Sequence, residues 1–119
     1  MGLDIYPSRQ RDDVVLRAED KLAFAALDLK LCEWIGDGSF RGKVYLDVVD
    51  LVAGVCLTQD WIPPTEVAEI AAAFEVCDPE EVARLSGDDR YAVTPDEVRS
   101  LRKLLRVCAT HGLGFIGSY

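Results

Sequence analysis

At 119 residues, half of them apolar, the chain has the size of one domain that buries a core without needing a metal or disulfide. Its formal net charge of -8, from 21 acids against 13 bases, repels nucleic acid and anionic membranes at long range and favours basic partners. No apolar run approaches the ~20 residues that a membrane-spanning helix requires.

The chain opens on a strand over 2–6, in which Leu3 and Ile5 alternate with Asp4 and Tyr6, ended by Pro7. Asp4 also stands where a secretory leader would carry positive charge, and a cytoplasmic location is expected. After a polar connection over 7–13, a helix is expected from about Ala18 to Trp34, with Leu22, Ala26 and Leu29 on one face. The competing signal is the alternation of Leu27, Leu29 and Leu31 with Asp28 and Lys30, which suits a strand.

The stretch WIGDGSFRGKVY (34–45) resembles a phosphate loop only in composition. A Walker loop requires Gly, four residues, then Gly-Lys and a hydroxyl residue; here Asp37 takes the first glycine position and Val44 the hydroxyl position. The dinucleotide fingerprint fails as well, because its third glycine falls on Arg41. GDG is therefore read as a turn, with Ser39 capping a helix over 40–57 along which Val44, Val48 and Val52 recur. Arg41 and Lys43 beside that helix start are the residual anion-binding candidates.

Pro63 and Pro64 break the helix, and three starts follow, each with proline at or near the first helical position: PTEV, PEEV and PDEV. Helices are expected over 64–76, 79–86 and 95–111, with Gly87 and Gly112 ending the last two. Asp78 and Thr94 each stand three residues before a glutamate, as capping boxes do. The three starts are read as converged capping chemistry, since the segments between them do not match. A closing strand over 115–119 is expected to pair with the opening one. The predicted fold is α+β and predominantly helical: about five helices, with short N- and C-terminal strands forming a small sheet in a single compact domain over 1–119.

The chemical motifs are sparse. Cys32, Cys56, Cys77 and Cys108 lie too far apart for a zinc knuckle, and Cys108 with His111 supplies at most half a site; no metal or other cofactor is expected. His111 is the only histidine and no G-x-S-x-G elbow is present, so no enzyme is expected. The adjacent acids Asp12-Asp13, Glu80-Glu81 and Asp88-Asp89 read as solvated or capping residues.

Two binding surfaces remain. Asp47, Asp50, Asp60, Glu66 and Glu69 around Trp61 would suit an acidic protein-binding module, such as an inhibitor, immunity or anti-defence protein that occludes a basic partner. Trp34, Tyr45, Tyr91 and Tyr119 are further anchor candidates, and a homodimer stays open. The alternative is nucleic-acid or phosphate binding through Arg99, Arg102, Lys103 and Arg106, spaced to share one face of the last helix. Acids close by in sequence weigh against nucleic acid, and the turn before that helix is too long for a helix-turn-helix.

Overall fold

The computed structural model describes residues 2–86 and 92–119. In chain order it contains β1 (Asp4–Ser8), α1 (Ala18–Ala25), β2 (Phe40–Arg41), a 3-10 turn (Gly42–Tyr45), α2 (Leu46–Ala53), β3 (Trp61–Ile62), α3 (Pro64–Glu75), α4 (Pro79–Ser86), α5 (Pro95–His111) and β4 (Gly114–Ser118). The fold is α+β and predominantly helical, as expected. The two terminal strands pair antiparallel, Asp4 opposite Ser118 through Ser8 opposite Gly114. Pro7 does not end β1 but lies inside it, opposite Phe115.

Two short strands join that pair and make a four-stranded antiparallel sheet in the order β2-β1-β4-β3. Side chains alternate across a sheet, so residues opposite one another share a face. Ile5, Phe40, Ile62 and Phe115 line one face, each no more than 3% exposed. The rings of Phe40 and Phe115 meet edge-on there, centroids 6.1 Å apart. One continuous core joins this face to Val48, Val67, Ile70, Phe74, Leu101 and Leu104 of the helices. Full burial of such side chains stabilises by about 1.5–3 kcal/mol each, before the entropy of ordering them is subtracted.

The last three helices begin where the proline starts put them. Thr94 caps α5 reciprocally: its hydroxyl accepts the Glu97 N–H at 3.2 Å, and Glu97 Oε1 accepts the Thr94 N–H at 3.2 Å. Gly112 ends α5 in the left-handed region (φ 68°), and the Leu113 N–H closes onto the Cys108 carbonyl at 2.9 Å. At α4 the Asp78 carboxylate accepts the Glu80 N–H, but Glu81 turns to Arg84 instead of completing the box. Gly87, expected to end α4, lies outside the described residues, as do Asp88, Asp89 and Tyr91.

Two expected helices are shorter than their patterns suggested. α1 ends at Ala25 and not near Trp34. Beyond it Leu29 and Leu31 are buried while Asp28 and Lys30 are exposed, so the alternation describes an irregular segment packed on the core. That segment is held from outside: the Lys30 N–H donates to Ser100 Oγ on α5 at 2.9 Å. Within 40–57, the first two residues pair with β1, and only Leu46–Ala53 is α-helix. Ser39 caps nothing; it bonds Asp37 Oδ1 through its N–H and hydroxyl, at 2.9 and 2.6 Å. That is the turn expected of GDG, followed by a strand instead of a helix.

Two buried polar groups tie distant elements together. Asp20 on α1 has no solvent exposure. Its carboxylate accepts two bonds from the Arg9 guanidinium (2.8 and 2.7 Å) and one from the Arg17 N–H (2.7 Å), and Oδ1 meets His111 Nδ1 at 2.7 Å. Burial by itself would push this carboxyl up; the bonds from Arg9, the Arg17 N–H and His111 outweigh it and hold it well below the usual carboxylate range. Tyr45, fully buried, donates its hydroxyl to Glu97 Oε2 at 2.5 Å and accepts the Cys32 N–H at 2.8 Å. Burial, reinforced by the bond to Glu97, pushes that phenol far up.

Breaking the Asp20 cluster should cost about 3–5 kcal/mol, the usual loss when one partner of a buried ion pair is removed. Because the folded carboxyl lies below its unfolded value of about 3.9, its contribution is complete above that pH and fades as pH falls further. Urea titrations of Asp20→Asn are expected to show lower stability at neutral pH and a flatter acid limb below about pH 4. Tyr45→Phe strands the Cys32 N–H and should cost about 1–3 kcal/mol, measured as a shift of the urea midpoint with the slope unchanged.

Candidate functional site

The helices cover one face of the sheet, and the other face differs in kind. Tyr6, Ile116 and Trp61 are successive cross-strand partners on β1, β4 and β3, and they form one row of half-buried apolar side chains. The Trp61 indole lies over Gly114, where an added Cβ would come within 2.6 Å of the ring and 2.5 Å of the Ile62 carbonyl. Glycine at this position therefore lets the indole lie flat on the strand. Next to the row, on the Gly114 side, Ser8 is buried beneath the 10–15 segment; its hydroxyl donates towards the Gln10 and Asp13 carbonyls (2.8 and 2.9 Å) and accepts the Val15 N–H (3.0 Å).

On the opposite side of the row stand Asp4, Arg41 and Ser118. Arg41 Nη2 bonds Glu33 Oε1 at 2.8 Å, and its Nε lies 3.4 Å from Asp4 Oδ1. The bond to Glu33, then the charges of Glu33 and Asp4, raise the Arg41 pKa. Glu33 has φ 60°, the one non-glycine residue with positive φ among those described. Beside these groups opens a cavity of about 370 Å³ lined by Asp4, Tyr6, Glu33, Ile35, Ser39 and Phe40.

The expected acidic surface divides between the two layers. Asp60 and Trp61 lie at the sheet, with the Asp60 carbonyl accepting the Gly117 N–H at 3.1 Å. Asp47 and Asp50 are exposed on α2, a helix that packs against α3 and α4. Glu66 is half-buried in the first turn of α3, and Glu69 is exposed one turn on. Among the other aromatic candidates, Tyr45 is core and Trp34 packs edge-on against Phe24 at 6.5 Å, while Tyr119 is exposed.

The basic face of α5 is largely occupied by neighbouring acids. Arg106 makes a two-pronged bond to Glu75 at 2.7 and 2.8 Å. Arg99 bonds Asp96 at 3.0 Å and also Glu80. Arg102 and Lys103 make no ion pair among the described residues. Lys103 borders a groove shared with Asp28, Lys30 and Asp96, where cations and acids alternate. Arg41 is held by acids as well, and Lys43 sits in the 3-10 turn and not at an α-helix start.

His111 has the orienting carboxylate of a catalytic dyad, because Asp20 bonds its Nδ1. The cysteine on that element, Cys108, one turn earlier, is completely buried, and burial pushes its thiol far above the ordinary range. Among the described residues, no three His, Cys, Asp or Glu side chains cluster as metal ligands would. No helix is long and apolar enough to cross a membrane.

The row on the outer face was only partly legible in the sequence. The alternation at 3–6 assigns Tyr6 a face, but nothing local reveals that Ile116 and Trp61 stand beside it. Comparison with protein-family models, curated proteins and solved structures finds no match for this chain.

Proposed function

We propose that this chain is a small acidic protein-binding module that occludes a basic partner, in the manner of an inhibitor, immunity or anti-defence protein. The contact surface in this reading is the outer face of the sheet, with Trp61 as its anchor. One observation carries it: Tyr6, Ile116 and Trp61 stand in a single cross-strand row on the face that the helices leave open. Interfaces concentrate their energy in such aromatic and aliphatic centres with polar rims, and Asp4, Asp60 and Glu66 supply acids near this one in sequence or register. The net charge of -8 favours a basic partner and speeds the encounter.

A cytoplasmic setting agrees with four cysteines that form no disulfide. Phosphate binding through α5 has less support, since Arg99 and Arg106 would have to leave Glu80, Asp96 and Glu75 first.

Affinity capture from nuclease-treated lysate, followed by calorimetry on the enriched protein, tests this reading. Trp61→Ala is expected to weaken binding by about 30-fold or more, the scale of an interface hot spot. Ile116→Lys should weaken it comparably, with both variants keeping the wild-type circular dichroism. Affinity unchanged in both, or capture that vanishes with nuclease and with Arg102→Glu, overturns the reading.

A further inference from the structure

The cavity at the Tyr6 end of the row has a more specific chemistry than the row itself. Its volume of about 370 Å³ lies at the lower end of the range for binding cavities, large enough for one long side chain. Its walls are of two kinds. Ile35 offers apolar surface and Tyr6 an aromatic ring, while Asp4 and Glu33 bring carboxylates. A lysine side chain has the matching anatomy, an aliphatic stem ending in a compact cation.

The chain itself already places a cation on these carboxylates. The Arg41 guanidinium reaches Glu33 and Asp4 at 2.8 and 3.4 Å. One guanidinium faces two acids, so the cluster keeps a net negative charge. Asp37, four residues after Glu33, adds a further acid near the rim in sequence, its Oδ1 held by Ser39, which also lines the cavity. Ile35 is 78% exposed beside this opening, so its side chain is accessible to an incoming group.

We infer that this cavity receives a lysine side chain from the basic partner, its stem against Ile35 and Tyr6 and its ammonium on Asp4 and Glu33. The inference rests on the protein-binding reading, and Tyr6 belongs both to the row and to the cavity. The incoming ammonium shares the carboxylates with Arg41, so Arg41 acts as an internal competitor. Removing Arg41 should therefore strengthen capture of the guest, which a purely structural Arg41 would not do.

The test is a 15N–1H NMR titration with N-acetyl-lysine methylamide, using the neutral N-acetyl-norleucine methylamide as counter-probe. The lysine compound is expected to shift the amides of Tyr6, Ile35 and Ser39 saturably, and the norleucine compound is not. Asp4→Asn and Glu33→Gln should each weaken the lysine compound about fivefold, as loss of one exposed charge partner does, and Arg41→Gln should tighten it. The same spectra show whether each variant is folded. Equal shifts with both probes, no saturable shift, or indifference to Asp4→Asn and Glu33→Gln overturn the inference. The two readings separate cleanly: a partner that is lost with Trp61→Ala but retained with Glu33→Gln leaves the sheet face standing and removes the lysine cavity.

Discussion

The carboxylate of Asp20 is where three parts of the chain meet. Arg9 continues the inward-facing parity of β1 just past its end, and the Arg17 N–H belongs to the start of α1. His111 is the last residue of α5, immediately before the turn into β4. A buried carboxylate without these partners would have to be neutral or absent, because a lone charge in the interior costs several kcal/mol. With them it fixes the junction of β1 with α1 and of α5 with β4. Since β1 and β4 are neighbours, the central pair of the sheet is gripped at the end of β1 and the start of β4.

A second polar tie works on the other flank of α5. Glu97 divides its carboxylate, giving Oε1 to the Thr94 cap and Oε2 to the Tyr45 hydroxyl. The capping box thus also orients the 3-10 turn and, through the Cys32 N–H, the irregular segment behind it. Helix α5 is held near its first turn by Tyr45 and at its last turn by Asp20, while Val98, Leu101, Leu104 and Leu105 pack between. With the helical layer so fixed, the outer sheet face can carry half-buried apolar groups without serving as core.

Sequence legibility followed local chemistry. The starts of α3, α4 and α5 were readable because proline, caps and acids declare a helix N-terminus within four residues. The terminal strands were readable because alternation over a few residues, with apolar ends, is itself a strand signal. β2 and β3 were not: a two-residue strand has no periodicity, and it exists because β1 or β4 offers it a ladder. The overlong helices at 18–34 and 40–57 failed for the same reason. Leu29 and Leu31 are buried by contacts with distant elements, and Phe40 by the sheet, so their spacing reported tertiary burial and not helical period. The pairing of Asp20 with His111 spans 91 residues, and no local pattern announces it.

Both edges of the sheet are formed by the two-residue strands, β2 on one side and β3 on the other. An open edge is a template on which a second chain can lay down a strand, and long flat edges invite aggregation. Here β3 runs directly into Pro63 and Pro64, which have no N–H to offer a neighbour, and β2 carries the charged Arg41. Each outer strand therefore offers an incoming chain no more than two residues of ladder. Concentrated solutions of the folded protein should have little tendency to grow by strand addition, whatever its outer face binds.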